Sequence, residues 1–233
     1  MFSGGIGPGS RLVAVRSNSG HSVIEVLIVV ALIGVLSSLA LPQLIASRRL
    51  SGSVGITREI MTQLRYARQL AMSTRQSVTF QYDDLTKQVS VINHNNNQIP
   101  SPRFPSSCVI SQTAILGAAG YPLTACSIVA TTAPLTQGGI PASEMSYGIP
   151  AGLPIAPLGD GILMTTLVSS QLNITFQPDG SVIDAAGNPV GRAMFIYNNK
   201  ASNATASAIS IMGASGRIKI WRYDSGANLY ADS

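Results

Sequence analysis

Hydrophobic and polar positions follow three different rhythms along the chain, and each predicts a different element. Residues 1–19 are polar and glycine-rich. After Gly20-His21-Ser22 the chain turns apolar, and Val26 to Leu41 carries no charge. As a helix, Val23 to Leu41 would run roughly 28 Å at about 1.5 Å per residue, close to the hydrocarbon thickness of a bilayer. Pro42 is disfavoured inside a helix and is expected to kink or restart it. The small residues Ser51 to Gly55 read as a flexible break. Beyond them Ile56, Ile60, Leu64, Ala67 and Ala71 recur at helical spacing, with Arg58, Arg65, Arg68 and Arg75 on the other side. This predicts an amphipathic helix over 56–75.

From Ser77 the period falls to two, the signature of a half-buried strand. Val78, Phe80 and Tyr82 alternate with polar residues, Asp83 to Thr86 turns, and Lys87 to Ile92 returns. Asn93 to Asn97 reads as an open loop, which makes His94 a solvated histidine. Residues 99–161 are rich in Pro, Gly, Ala, Ser and Thr, and read as an insertion with little regular structure. Strands resume at Leu172–Phe176, Ser181–Ile183, Ala193–Asn198 and Ser207–Met212. A last strand, Arg217–Tyr223, follows the turn Gly213–Gly216. The fold class expected is α+β: a long N-terminal transmembrane and amphipathic helix packed on an antiparallel β-sheet. The organisation expected is a leader over 1–20, an apolar helix over 21–47, and a globular domain over 48–233 whose β part is 77–233.

Composition narrows the setting. Of 233 residues, 11% are charged and 45% hydrophobic, which suits a membrane-tethered chain better than a cytosolic enzyme. The formal charge of +5 raises the question of a nucleic-acid partner. Its distribution weakens that idea: Arg11 and Arg16 lie in the leader, and from Ser77 onward seven basic residues face eight acidic ones. The two cysteines, Cys108 and Cys126, would pair if this part of the chain is periplasmic. Closing such a loop is worth roughly 3 kcal/mol in the chain-entropy model.

The N-terminal segment admits two plain readings. One is a secretory signal with Ser38-Leu39-Ala40 as its small-residue cleavage site. The other is a simple single-span anchor. Arg11 and Arg16 place the N-terminus in the cytoplasm, whereas Arg48 and Arg49 beyond the span weaken that asymmetry. Neither reading explains Glu25. A carboxylate inside a membrane segment costs about 2.5–3.5 kcal/mol on insertion scales and is functional by default.

Gly20, Glu25 and the apolar run Val26–Leu41 resemble the class III leader junction of type IV pilins and type II secretion pseudopilins. Gly34 and Pro42 stand where that family often has a helix-loosening glycine and a kink proline. The resemblance implies cleavage between Gly20 and His21 by a prepilin peptidase, with methylation of the new amine. It implies other pilins or pseudopilins and an inner-membrane assembly platform as partners. It also implies a docking role for Glu25, paired with the N-terminal ammonium of a neighbouring subunit. A buried carboxylate of that kind is tolerated when paired and costly when orphaned, so it can set register. The chain departs from the pattern at His21, where the family usually has Phe.

Three further features resemble the GspH/FimT-type minor pilins and pseudopilins: the helix segment Gln63–Arg75 with its following hairpin, the Phe176-x-Pro178-Asp179-Gly180 strand end, and the terminal Gly216-Arg217 strand. DNA-binding members carry a short basic motif after such a Gly-Arg. Here Arg217, Lys219, Trp221 and Arg222 are the candidates, cations for phosphates and a ring for a base. By alternation Arg217, Lys219, Trp221 and Tyr223 share a face and Arg222 points away. The structural alternative is an edge strand guarded by charge, with Trp221 in the core. No catalytic constellation, cofactor motif or metal-ligand spacing occurs, so no enzyme is expected. The function expected is a structural subunit of a type II secretion pseudopilus or a type IV pilus, with DNA capture as the alternative.

Overall fold

The computed structural model describes residues 22–95, 108–117, 126–136, 139–155 and 157–232. Two compact units divide the chain, one ending at Gln43 and the other running from Leu44 to Ser233. In the first unit the described residues are Ser22 and the opening part of helix α1, Val23–Thr74. This part is apolar and exposed: Val23, Ile24, Leu27 and Leu36 each leave more than half of their surface open. Among the described residues it is one helix long and apolar enough to cross a membrane, with a mean hydropathy of 2.7 over its best window.

The described residues of the second unit hold the rest of α1 and nine strands in two antiparallel sheets. The first sheet has the order β3-β2-β1-β5, built from β1 Val78–Asp83, β2 Gln88–His94, β3 Ser127–Pro134 and β5 Gln171–Phe176. The second has the order β4-β6-β7-β8-β9. Its strands are β4 Met145–Tyr147, β6 Arg192–Asn198, β7 Ser207–Ile211, β8 Ile218–Asp224 and β9 Leu229–Asp232. Helices α2 Gln112–Gly117 and α3 Ser202–Thr205 are one turn or little more.

The core forms where the predicted helical stripe meets both sheets. Ile56, Ile60, Leu64, Ala67 and Ala71 are all fully buried. They share one cluster with Val78, Phe80, Val91 and Ile174 of the first sheet and with Met194, Ile196, Ile209 and Ile211 of the second. The small Ala67 and Ala71 on α1 let the helix lie close to the strands, and the aliphatics fill the space between. Tyr82 of β1 stacks on Tyr147 of β4 at 5.8 Å between ring centroids, linking the two sheets. A second cluster occupies the far side of the second sheet, where Phe195, Ala208, Trp221 and Tyr230 are covered by Leu153 and Leu158.

Four expectations are corrected. Ser51–Gly55 is helical, and α1 is continuous through Gly34 and Pro42 rather than restarting at 56. Small residues there serve packing: Gly52 and Ser53 are buried. The Ser53 hydroxyl donates to the Arg49 carbonyl and the Thr57 hydroxyl to that of Ser53, so both hydroxyls are satisfied within the helix. Secondly, the α+β class with antiparallel strands holds, but the described strands divide between two sheets where one was expected. Thirdly, the segment 99–161 is not merely an insertion, since it supplies β3, β4 and the buried Leu135, Ile140 and Met145. Lastly, Ser181–Ile183 makes only isolated bridges, Val182 to Phe176 and Ile183 to Pro189.

Candidate functional site

Gly20 and His21 lie outside the described residues. Ser22 caps α1: its carbonyl accepts from the amides of Glu25 and Val26, and its hydroxyl oxygen from that of Ile24 at 3.4 Å. Glu25 is exposed in the first turn, where the positive end of the helix dipole favours a carboxylate. Gly34 is exposed, and no atom stands within 4 Å of where a Cβ would be.

Cys108 and Cys126 form a disulfide with 5.2 Å between their Cα atoms. Asn95 fastens both half-cystines to the sheet. Its amide donates to the Cys126 carbonyl at 2.9 Å and its side-chain nitrogen to the Cys108 carbonyl at 2.5 Å. His94, beside it, is corrected from a solvated loop residue to a buried member of β2, 1% exposed. Its Nε2 pairs with the Thr79 hydroxyl at 2.8 Å and its Nδ1 with the Ser127 hydroxyl at 2.7 Å, and Thr79 pairs in turn with Thr175. One imidazole thus ties β1, β2 and β3 together.

Burial pushes the His94 pKa down to about 4 from 6.5. A folded chain that keeps the ring neutral binds fewer protons than the unfolded chain between these values. Stability is therefore fully present above pH 6.5 and falls as pH drops toward 4, by up to about 3 kcal/mol. His94→Gln is expected to flatten that part of the curve. Urea midpoints of residues 44–233 between pH 7 and 4.5 measure it, since His94 is the one histidine in that stretch.

The structure places the residues of the basic strand in different surroundings. β9 covers the second half of β8, from Trp221↔Asp232 to Asp224↔Leu229, and leaves Ile218–Ile220 at the edge of the sheet. Trp221 is 5% exposed and its Nε1 donates to the Ser210 hydroxyl at 2.8 Å. That hydroxyl donates to Asp160 at 2.5 Å, pinning the loop whose Leu158 covers the indole. No face of the ring is left for a base. Lys219 pairs with Asp232 at 2.9 Å and sits 4.9 Å from the indole centroid. Ile218 and Ile220 pack toward α1, so Arg222 lies on that face beside Leu50 and Val54, opposite Trp221. Arg217 is exposed.

The three features that carried the finer resemblance instead meet at one structural point. Arg68 of α1 donates from Nε to the Gly180 carbonyl at 3.4 Å and from Nη2 to that of Ser215 at 2.9 Å. The Pro178-Asp179-Gly180 turn is held by Asp179, whose carboxylate accepts the hydroxyl and amide of Ser181. Those two bonds hold its pKa below the usual carboxylate range. Gly216, with φ +60°, lies directly against the Gly180 carbonyl. Helix, strand end and Gly-Arg turn form one junction, which the sequence motifs implied only as separate marks.

These observations define a class: an α+β chain whose one long helix among the described residues is apolar and exposed at its start and a core element at its end. No family model matches the chain, and no curated protein matches it. Among solved structures it is similar to the type IV minor pilin FimU of Pseudomonas aeruginosa strain PAO1, in two crystal forms. In the first the identity is 14% and the TM-score 0.38, over 75% of this chain and 89% of that one. In the second they are 15% and 0.36, over 72% and 90%.

Proposed function

We propose that the chain is a minor subunit of a type IV pilin-like filament, a pilus or a type II secretion pseudopilus, and works by docking rather than turnover. One observation carries the reading. The exposed start of α1 is apolar and uncharged after Glu25, while its end, from Ile56 to Ala71, is buried in the β domain. An exposed helix of that composition needs lipid or other such helices around it. The anchor would hold the protein in the inner membrane with its β domain in the periplasm, where the Cys108–Cys126 bond is stable. A prepilin peptidase would release residues 1–20, and the assembly platform would load the helix among other pilins, with Glu25 as the register device.

Crosslinking in the native cell, followed by mass spectrometry, tests this. The expected outcome is a mature N-terminus at His21 with pilin or pseudopilin neighbours, and loss of that terminus in Gly20→Asp. A terminus near Leu41 without pilin neighbours would mean an ordinary secreted protein. DNA capture, the alternative, needs Arg217, Lys219 and Arg222 to meet one backbone. The strand divides them between two faces, so docking ranks first; DNA affinity that falls steeply with salt and is lost in Arg217→Ala would reverse that order.

A further inference from the structure

Arg48 and Arg49 follow the apolar run and have no role in the reading above. The second unit gives them different surroundings. Arg49 Nε lies 3.4 Å from Glu144 Oε2, and the same carboxylate oxygen accepts from the Asn198 side chain at 3.1 Å. The Glu144 carbonyl accepts the Asn199 amide at 2.8 Å. Arg49 is thus part of a built contact that fixes the turn Ala142–Glu144 against α1. Arg48 is exposed and makes no hydrogen bond or ion pair with a described residue.

Both guanidinium groups line an open cleft with Ile45, Ile140 and Glu144. Two cations and one carboxylate leave the cleft one positive charge in excess. Its lining is mixed: Ile140 is buried, whereas Ile45 remains half exposed. Position then decides the ligand. Between Glu25 and Arg48 lie 22 uncharged residues, 26–47. As helix they cover roughly 33 Å, a little more than the ~30 Å hydrocarbon core. If that run spans a bilayer, Arg48 stands about one turn beyond Leu44 and Ile45, at the depth of the phosphates.

We infer that this cleft is a headgroup site for anionic phospholipid in the leaflet where the apolar run ends. The Arg48 guanidinium meets the phosphodiester and the Ile45 side chain at the rim meets the first methylenes. The inference rests on the membrane-anchor reading. Arg suits a phosphate because its planar fork donates two parallel hydrogen bonds. A free phosphate in water would gain little from one exposed cation. A lipid held at the same depth by the bilayer arrives at high effective concentration. The site gives the two arginines distinct tasks: Arg49 holds the cleft, Arg48 fills it.

The test uses the full chain in nanodiscs of phosphatidylcholine, alone or with phosphatidylglycerol, and reads amide hydrogen exchange across 139–147. With phosphatidylglycerol, exchange there is expected to slow about fivefold, the equivalent of one basic residue at an anionic surface. Arg48→Gln is expected to remove the difference and to leave exchange in phosphatidylcholine unchanged. Equal exchange in both lipids, or an Arg48→Gln variant that still responds, would overturn the site while leaving the anchor intact. Equal protection by inorganic phosphate in phosphatidylcholine discs would overturn the lipid assignment. A chain that does not enter discs of either composition would overturn the anchor reading, and the site with it.

Discussion

Gly216→Ala is expected to cost the domain about 3–5 kcal/mol, the upper range for a single substitution. Two penalties add. The φ of +60° is a left-handed conformation, which costs a side-chain-bearing residue roughly 1–2 kcal/mol. The new Cβ would also lie 1.9 Å from the Gly180 carbonyl oxygen and 2.8 Å from Arg68 Nε. The obstacle is backbone, so the two turns must separate and Arg68 must lose both carbonyls. Gly187→Ala is the control: its φ of +86° carries the first penalty, but nothing stands within 4 Å of its Cβ. It should cost about 1–2 kcal/mol. Urea unfolding of residues 44–233 measures both, since both apolar clusters lie wholly inside that span. The chain has a single tryptophan, and its burial makes its fluorescence the probe. Equal losses for the two glycines would show that the junction is looser than described.

Trp221→Ala is expected to cost a further-reaching 3–5 kcal/mol. The indole is the largest side chain of the second cluster, and its removal leaves Leu158, Phe195 and Tyr230 around a void. Trp221→Phe should cost about 1 kcal/mol beyond the volume lost, because it forfeits the bond to Ser210. Far-ultraviolet circular dichroism against urea follows both variants without needing the tryptophan. A mild Trp221→Ala would mean that the indole is free of the cluster, and would reopen the stacking role considered for it.

Much of this fold was legible because it is written in short-range periodicity. The stripe Ile56–Ala71 follows a helical period and is the buried face. β1, β2 and β5–β8 follow alternation and are bounded by Asp and Gly turns, so their positions were readable to within a residue or two. What was not legible depends on distant partners. β3 reads Ser-Ile-Val-Ala-Thr-Thr-Ala-Pro, without alternation, and carries a register shift opposite Val91 and Ile92. β4 is three residues long. β9, which makes the second half of β8 interior, has four residues after a polar turn. Glycine and serine at 51–55 look like a break, yet they are what a helix uses to approach other elements closely. His94 sits in an asparagine-rich run, and only pairing with β1 and β3 reveals that it is buried.

The candidate site shows the same division. Alternation separated Trp221 from Arg222 correctly, because that needs only the strand. Which face was covered depended on the loop carrying Leu153, Leu158 and Asp160, sixty residues away in sequence. The cluster of Arg48, Arg49 and Glu144 was invisible for the same reason: Glu144 arrives through the turn at Ala142–Glu144, within a stretch whose composition suggested no structure.

The order in which strands are paired has a consequence for how the chain comes to be folded. β1 pairs with β2 at once but with β5 only across nearly a hundred residues, Val78 with Phe176 and Asp83 with Gln171. The helical stripe needs Ile209 and Ile211 as well before it is covered. A product truncated before β7 therefore leaves part of the Ile56–Ala71 stripe uncovered. Such long-range pairing makes folding slow and leaves the nascent domain exposed to aggregation until its last third has arrived. A chain built this way gains from being held apart from its copies while it waits, and a tether that fixes each chain separately would do that.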